Sequence, residues 1–411
     1  MEIHPPPFTN IKQKGLDTSI QFGMVTKINK ECSMKKRLLA LSILTITANT
    51  AYANALQSFA DFTFDNPAYY GLIKDREVTL GGLMVFPTIQ FSGTSTPVGG
   101  TGRAVSTIER SNPFGRIAMR VLRPLVIGVN ISSPWASNLV YPSNSVVRYS
   151  NTKAEFQSIA ITPTVALNFS ESFAIGAGID FQNFYAALSL RIPSGFGDLP
   201  LSVSGDSWRY PFKVGAVYVY NKRAVFGLSY HNYVTHRISG TSNFNGIRTP
   251  ANATVALPAT LVGDIKFAIT PTIAVFGSAR YSLWEGLNTV FINTNGPLGS
   301  LPFPLNYTNT WNLLGGGQYK FNSKITARGF GYWDQNPAND TDRGVGLPAD
   351  TIFGIGVGAD YNFNEKMSVT GRYSHAFVNT DVNNLNSAGI RIRGPVNINA
   401  DAIALQFSYK A

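Results

Sequence analysis

The chain has 411 residues, a net charge of +11, 14% charged residues, 38 glycines and one cysteine, Cys32. A lone cysteine builds neither an intrachain disulfide nor a thiolate metal cluster. Its basic residues are scattered rather than interleaved with aromatics, which argues against nucleic acid as a partner, and no run of about 18 apolar residues offers a helical membrane span.

Met34–Ala53 carries the parts of an export signal. Lys35, Lys36 and Arg37 form a basic head, Leu38 to Thr47 an apolar middle too short to span a bilayer, and Ala51-Tyr52-Ala53 a small-x-small cleavage site. The reading places a signal peptide at 34–53 and a mature start at Asn54. Residues 1–33 then read as an extension upstream of the true start at Met34, with no fold assigned. Residues 54–76 lack clean alternation but hold Leu56, Phe59, Phe62, Phe64, Tyr69, Tyr70 and Leu72. So many large apolar groups do not suit a solvated tail, and a hatch tucked into a lumen is expected, with a turn at Asp65-Asn66-Pro67-Ala68.

From residue 77 onward the period is two. Phe173, Ile175, Ala177, Ile179 and Phe181 share one face, opposite Ala174, Gly176, Gly178, Asp180 and Gln182. The pattern repeats from Phe353, from Met367 and from Ile403 to Tyr409. A period of two puts the sets on opposite sides of a strand. The polar set is rich in Gly with Asp, Gln and Arg, as a crowded hydrated lumen requires. Phe169, Tyr220, Tyr319, Phe321, Tyr361 and Phe363 close segments beside short polar connectors, as an interfacial girdle does. Fourteen candidate strands follow, starting near Glu77, Gly115, Leu125, Ala154, Phe173, Leu201, Arg223, Thr254, Ile273, Thr310, Lys324, Thr351, Met367 and Asp401. Tight connections (Leu122–Pro124, Ser170–Ser172, Asn221–Lys222, Thr270–Thr272, Asn322–Ser323, Asn364–Lys366) alternate with long ones such as Ser92–Pro113, Gly286–Asn306, Asp334–Asp350 and Thr380–Asn399. The expected fold is all-β: a fourteen-stranded antiparallel transmembrane barrel with a short N-terminal hatch, both ends periplasmic. Pro87, Pro163 and Pro258 remove ladder donors and mark bulges or kinks.

These residues also carry a resemblance. Asn66-Pro67-Ala68, Ile161–Asn168 with Phe173–Gly178, Leu257–Thr260, Tyr332–Pro337 with Arg343 and Leu347–Asp350, Gly358–Phe363 and Arg372–His375 follow one another as in FadL-type outer-membrane transporters. The chain resembles that family over most of 60–411. The resemblance implies a fourteen-stranded barrel with an Asn-Pro-Ala hatch motif, and passive uptake of long-chain fatty acids or other hydrophobic small molecules with lateral release through a kinked wall strand. Two departures stand out: a short hatch, and a short connection at Ile192–Pro200 where the family has a ligand-collecting loop.

Candidate ligand contacts are Arg191, Phe291, Ile292, Phe303, Arg328 and Arg372. The Thr289–Asn306 loop is unusually apolar for a water-facing segment, which marks ligand capture or packing against neighbouring loops. In the fifth strand the apolar set changes parity between Phe181 and Phe184, which reads as a bulge near Gln182–Asn183 that turns Arg191 inward. Arg191 also falls where the resemblance places a ligand-contacting arginine; the alternative pairs it with Asp180 or Glu155. No catalytic residue, cofactor or metal is expected. Ser374 and His375 face opposite sides, and Ser229 and His231 share the lumen side, so an outer-membrane lipase is the weakest alternative; a general porin or adhesin is the stronger one. Expected partners are the hydrophobic substrate, outer-membrane lipid and lipopolysaccharide, and the barrel-assembly machinery, with the barrel itself a monomer.

Overall fold

Alternating residues can satisfy every backbone group in lipid only if the sheet closes on itself. A computed structural model of the chain describes residues 66–411, except 109, 285–286, 349 and 387. The expected signal peptide, the segment before it and the first part of the expected hatch lie outside the described residues. Fourteen antiparallel strands form the wall. They are β1 (Arg76–Thr96), β2 (Gly100–Ser106 and Arg110–Arg120), β3 (Leu125–Ser132 and Ala136–Val140), β4 (Lys153–Ser170) and β5 (Phe173–Ile179 and Phe181–Ser194). Next come β6 (Gly197–Arg209 and Phe212–Tyr220), β7 (Ala224–His231 and Val234–Phe244), β8 (Ile247–Leu257 and Ala259–Ala268) and β9 (Ile273–Leu283). The last are β10 (Thr310–Lys320), β11 (Ile325–Asp334), β12 (Ile352–Asn362), β13 (Met367–Leu385) and β14 (Arg391–Lys410). β14 closes on β1 from Glu77↔Lys410 to Thr96↔Arg391.

The tight turns fall where the sequence puts them. At one of them Asn221 and Lys222 take φ of 47° and 55°, the left-handed backbone that short hairpins use. By the usual asymmetry of such barrels, this short-turn end is periplasmic. Around it the outward side chains Phe169, Tyr220, Tyr319, Phe321, Tyr361 and Phe363 stand exposed, as do Ile355, Val357, Ile403 and Leu405 higher up. A continuous belt of exposed large apolar side chains is the surface that hydrocarbon requires.

Toward the long-loop end the chemistry inverts without a change of register. In β14 the outward set runs Tyr409, Phe407, Leu405, Ile403 and then Asp401, Asn399, Asn397, Arg393 and Arg391. The inward set runs Ser408, Gln406, Ala404, Ala402, Ala400 and then Ile398, Val396 and Ile392, all buried. The wall therefore rises out of the lipid as a collar that is polar outside and apolar inside. The segments Ser92–Pro113 and Thr380–Asn399, expected as loops, are largely strands of this collar. Inside it, the loop at 141–152 and the loop at 335–351 pack on the apolar face: Tyr141, Val147 and Val345 join Phe91, Ile392 and Ile398 in one buried cluster. The Tyr141 hydroxyl donates to the Val345 carbonyl at 3.3 Å.

On the lumen side many glycines are covered rather than wet. The ring of Phe276 lies over Gly316, that of Phe330 over Gly356, that of Tyr332 over Gly354 and that of Phe114 over Gly81. A Cβ at these positions would collide with the rings, so the lumen glycines that suggested hydration largely accommodate aromatic packing.

Candidate transport path

The described part of the hatch is a 3-10 turn, Pro67–Leu72, held inside the barrel. Proline opens it at the position where a missing N–H leaves no bond unmade. Asn66 is buried and caps it: its Oδ1 accepts from the Ala68 N–H at 2.9 Å. Its Nδ2 donates to the carbonyls of Ala216 in β6 (3.1 Å) and Leu228 in β7 (3.3 Å). The wall makes room with glycine: Gly215 lies beneath Asn66, Gly176 beneath Pro67 and Gly128 beneath Tyr70. From the other side Asn168 Nδ2 donates to the Gly71 carbonyl at 2.8 Å. The Arg120 guanidinium donates to the carbonyls of Gly71, Ile73 and Lys74. The Tyr69 hydroxyl donates to Asp264. The motif residues Asn66, Pro67 and Ala68 thus sit against the periplasmic half of the wall.

Above this seat five strands lapse at neighbouring positions: β3 at 133–135, β5 at Asp180, β6 at 210–211, β7 at 232–233 and β8 at Pro258. β8 breaks at Pro258 without a change of register. Pro87 and Pro163, expected to mark bulges or kinks, instead lie within unbroken strands; Pro163 stands beside the lapse of β5, and Pro87 opposite the break in β2. In β3 the register on β4 moves from Ser132↔Ala160 to Ala136↔Gln157, so one extra residue is inserted and the strand bulges around Pro134. The bulge is tied down by Ser158, whose Oγ accepts from the Trp135 N–H at 2.9 Å.

A cavity of about 40 Å³ sits at these lapses. Its polar side is Asp180, Gln182, His231, Thr260 and Arg280; its apolar side includes Trp135, Val234, Leu257 and Val262. Trp135 stands edge-on to Trp284 at 5.4 Å, and Trp284 to Tyr307 at 5.3 Å, so aromatic rings roof the lumen here. Below, Asp180 is held by Lys213 Nζ at 3.0 Å and by the Thr162 hydroxyl at 2.6 Å, both buried. Beside it His236 is fully buried against Phe184, with Nε2 3.3 Å from Gln182 Oε1. Room for roughly three waters is far short of the ~300 Å³ of an ordinary ligand pocket.

Next to the cavity the β2–β3 ladder is interrupted, leaving a seam in the wall. The β2–β3 ladder runs from Arg120↔Val126 to Gly115↔Ile131 and stops. Above it the Ala136–Val140 piece of β3 bonds as a ladder to β4 alone among the described residues. One bridge across it is the Val140 N–H donating to Ser106 Oγ at 3.1 Å.

The candidate ligand residues are dispersed. β5 keeps one register on β4, from Thr164↔Gly178 to Lys153↔Ser189, so the bulge expected at Gln182–Asn183 is absent. Arg191 stays on the outward set, at the rim above the cavity, where its N–H donates to the Arg148 carbonyl at 2.8 Å. Of the two alternative partners, Asp180 pairs with Lys213 and Glu155 with Lys153. The apolar loop forms a hairpin, Thr289–Thr294 with Ser300–Pro304. Phe303 packs inward with Val290, Trp284 and Tyr307; Ile292 pairs with Leu301; Phe291 is 51% exposed on the other face. Arg328 and Arg372 flank Gly358 on the lumen side near the periplasmic end, and Arg328 is bound to Asp360, with Nε at 2.9 Å. Trp135, Gln182, Thr260 and Arg280 were missed. Pro134 beside Trp135 was the signal that could have found the first.

A closed barrel with an apolar belt, a seated hatch and a lumen cavity beside a wall seam defines an outer-membrane channel protein. The family model described as outer membrane protein transport protein (OMPP1/FadL/TodX) matches residues 42–411, and the chain belongs to that family. The chain is similar to a Pseudomonas aeruginosa FadL homologue of known structure at 20% identity, with a TM-score of 0.79 over 89% of this chain and 99% of that one. The P. putida toluene transporter TodX gives a TM-score of 0.65 at 12% identity, over 84% and 92%. Outer membrane protein P1 of Haemophilus influenzae is 25% identical over 79% of this chain and 82% of its own length.

Proposed function

We propose that the protein takes up hydrophobic small molecules, long-chain fatty acids among them, by passive diffusion. The ligand is captured at the apolar collar and outer hairpin, then held in the lumen beneath Trp135. It leaves sideways between β2 and β3 into the membrane. The observation that carries this reading is the seam itself: wall backbone without a ladder partner is stable in a barrel only where something other than lipid covers it. The polar side of the cavity, with Arg280 and Gln182, suits a carboxylate or other acceptor head group. The apolar side suits a chain or ring, and the likeness to a toluene transporter fits a neutral aromatic equally well.

Closing the seam tests the route. A Ser106→Cys, Val140→Cys pair joins two residues already in hydrogen-bond contact across it. Uptake of labelled fatty acid or toluene by proteoliposomes should fall to background in the oxidised form and return with reductant, the barrel remaining folded. Undiminished uptake in the oxidised form would refute lateral exit.

A further inference from the structure

The outer face of the collar carries a feature that the transport path does not use. Arg103 in β2 lies opposite Ser92 of β1, while Arg393 and Arg391 of β14 lie opposite Thr94 and Thr96 of β1. All three arginines are exposed on the outward set. Arg103 donates to Gln90 and Arg391 to Asn383, both neutral, and no ion pair neutralises any of the three among the described residues. Around them the same face shows Ser92, Thr94, Thr101, Asn397 and Asn399, with Asp381 the acidic member. Below stands the lipid belt, whose last apolar residue on β14 is Ile403. Arg393 and Arg391 stand ten and twelve residues beyond Ile403 on β14, about 23–28 Å above that edge given a rise of ~3.3 Å per residue and a strand tilt near 45°.

We propose that this face binds the phosphorylated core saccharide of an outer-leaflet glycolipid whose acyl chains lie against the belt beneath. Arginine matches phosphate with forked, charge-assisted hydrogen bonds, and the Asn, Ser and Thr side chains suit sugar hydroxyls. Strands two apart lie ~10 Å from one another, so Arg103 and Arg393 reach one headgroup from two sides. A lipid held there borders β2, one edge of the proposed exit seam, yet its binding needs no residue of the lumen.

The test measures lipopolysaccharide retained per purified full-length barrel over a concentration series. The probes are the intact glycolipid, the same glycolipid dephosphorylated, lipid A lacking the core, and inorganic phosphate as competitor. The triple variant Arg103→Ala, Arg391→Ala, Arg393→Ala should bind the intact form on the order of a hundredfold more weakly. The Lys triple variant should recover most of that loss. The dephosphorylated and core-less lipids should bind wild type as weakly as the Ala variant binds the intact one, and hydrocarbon uptake should be unchanged. Equal binding by wild type and Ala variant, or equal binding of dephosphorylated lipid, would overturn the site. Full displacement by millimolar phosphate would make it a free-anion site instead and equally overturn the proposal.

Discussion

The lower and upper halves of β14 share one register and carry opposite chemistry. From Tyr409 to Ile403 the apolar side chains point outward and small or polar ones inward; from Asn399 to Arg391 the polar ones point outward and Ile398, Val396 and Ile392 inward. The difference shows that a barrel strand does not have an apolar face as such. It has a face toward whichever solvent surrounds it, and the crossover at Asp401 marks where lipid gives way to water. In the proposed route the inversion also builds the entrance, because an apolar inner collar is what a hydrophobic solute would meet before the lumen.

Ile392 breaks the upper half. It is fully buried in the collar cluster, and truncation to Ala should cost about 2–5 kcal/mol by lost transfer energy and an unfilled cavity. The loss is local: the loop at 141–152 should become open to protease while the wall keeps its heat-resistant mobility on denaturing gels. If both melt together, collar and membrane wall are one cooperative unit and the division drawn here fails.

Leu405 breaks the lower half. It is 60% exposed to lipid, and Leu405→Arg should destabilise the barrel by about 2–4 kcal/mol if it lies at the midplane, less toward an interface. The opposite exchange in the upper half, Arg393→Leu, should change folding stability by less than about 0.5 kcal/mol. Urea titration of refolding into vesicles compares them. Similar costs for the two exchanges would mean that lipid covers both halves.

The same inversion explains what was legible in the sequence. Alternation located the strands and turns within the membrane, and the aromatic ends located the periplasmic interface, because lipid imposes one rule on all of them. It failed above the crossover. In β5 the apolar set moves from Phe173, Ile175, Ile179 and Phe181 to Phe184 and Leu190, which reads as a bulge if the outside is lipid throughout. The strand is in fact unshifted and has left the membrane, so Phe184 and Leu190 are apolar because they face inward. Arg191 was turned into the lumen by that error, and the family resemblance pointed to the same residue. Thr380–Asn399 looked like a loop because its outward residues are polar. The cavity was harder still, since Trp135, Gln182, Thr260 and Arg280 come from separate strands and meet only when the barrel closes.

The smallest expected effect lies at the top of the collar. Asp198, at the tip of the β5–β6 hairpin, accepts from Arg148 Nε at 2.6 Å and from the Tyr149 hydroxyl at 2.8 Å, which ties the loop at 141–152 to the rim. Burial favours its neutral form, but the hydrogen bonds from Arg148 and Tyr149 together with nearby positive charge outweigh burial and hold the carboxyl below its ordinary value. A lowered carboxyl contributes stability that is complete above the ordinary carboxylate range and fades as pH falls through the lowered value. Because solvent screens this partly exposed pair, the contribution is at most about 1 kcal/mol, or roughly fivefold in how often the loop opens. Asp198→Asn removes it at every pH: trypsin at pH 7.5 should cut at Arg148 up to about fivefold faster than in the wild type. Pepsin should distinguish the two proteins less and less as the pH drops below the carboxylate range. A constant ratio down to the lowest pH would show that the loop is held by its apolar side, through Val147 and Tyr141, and not by its charge.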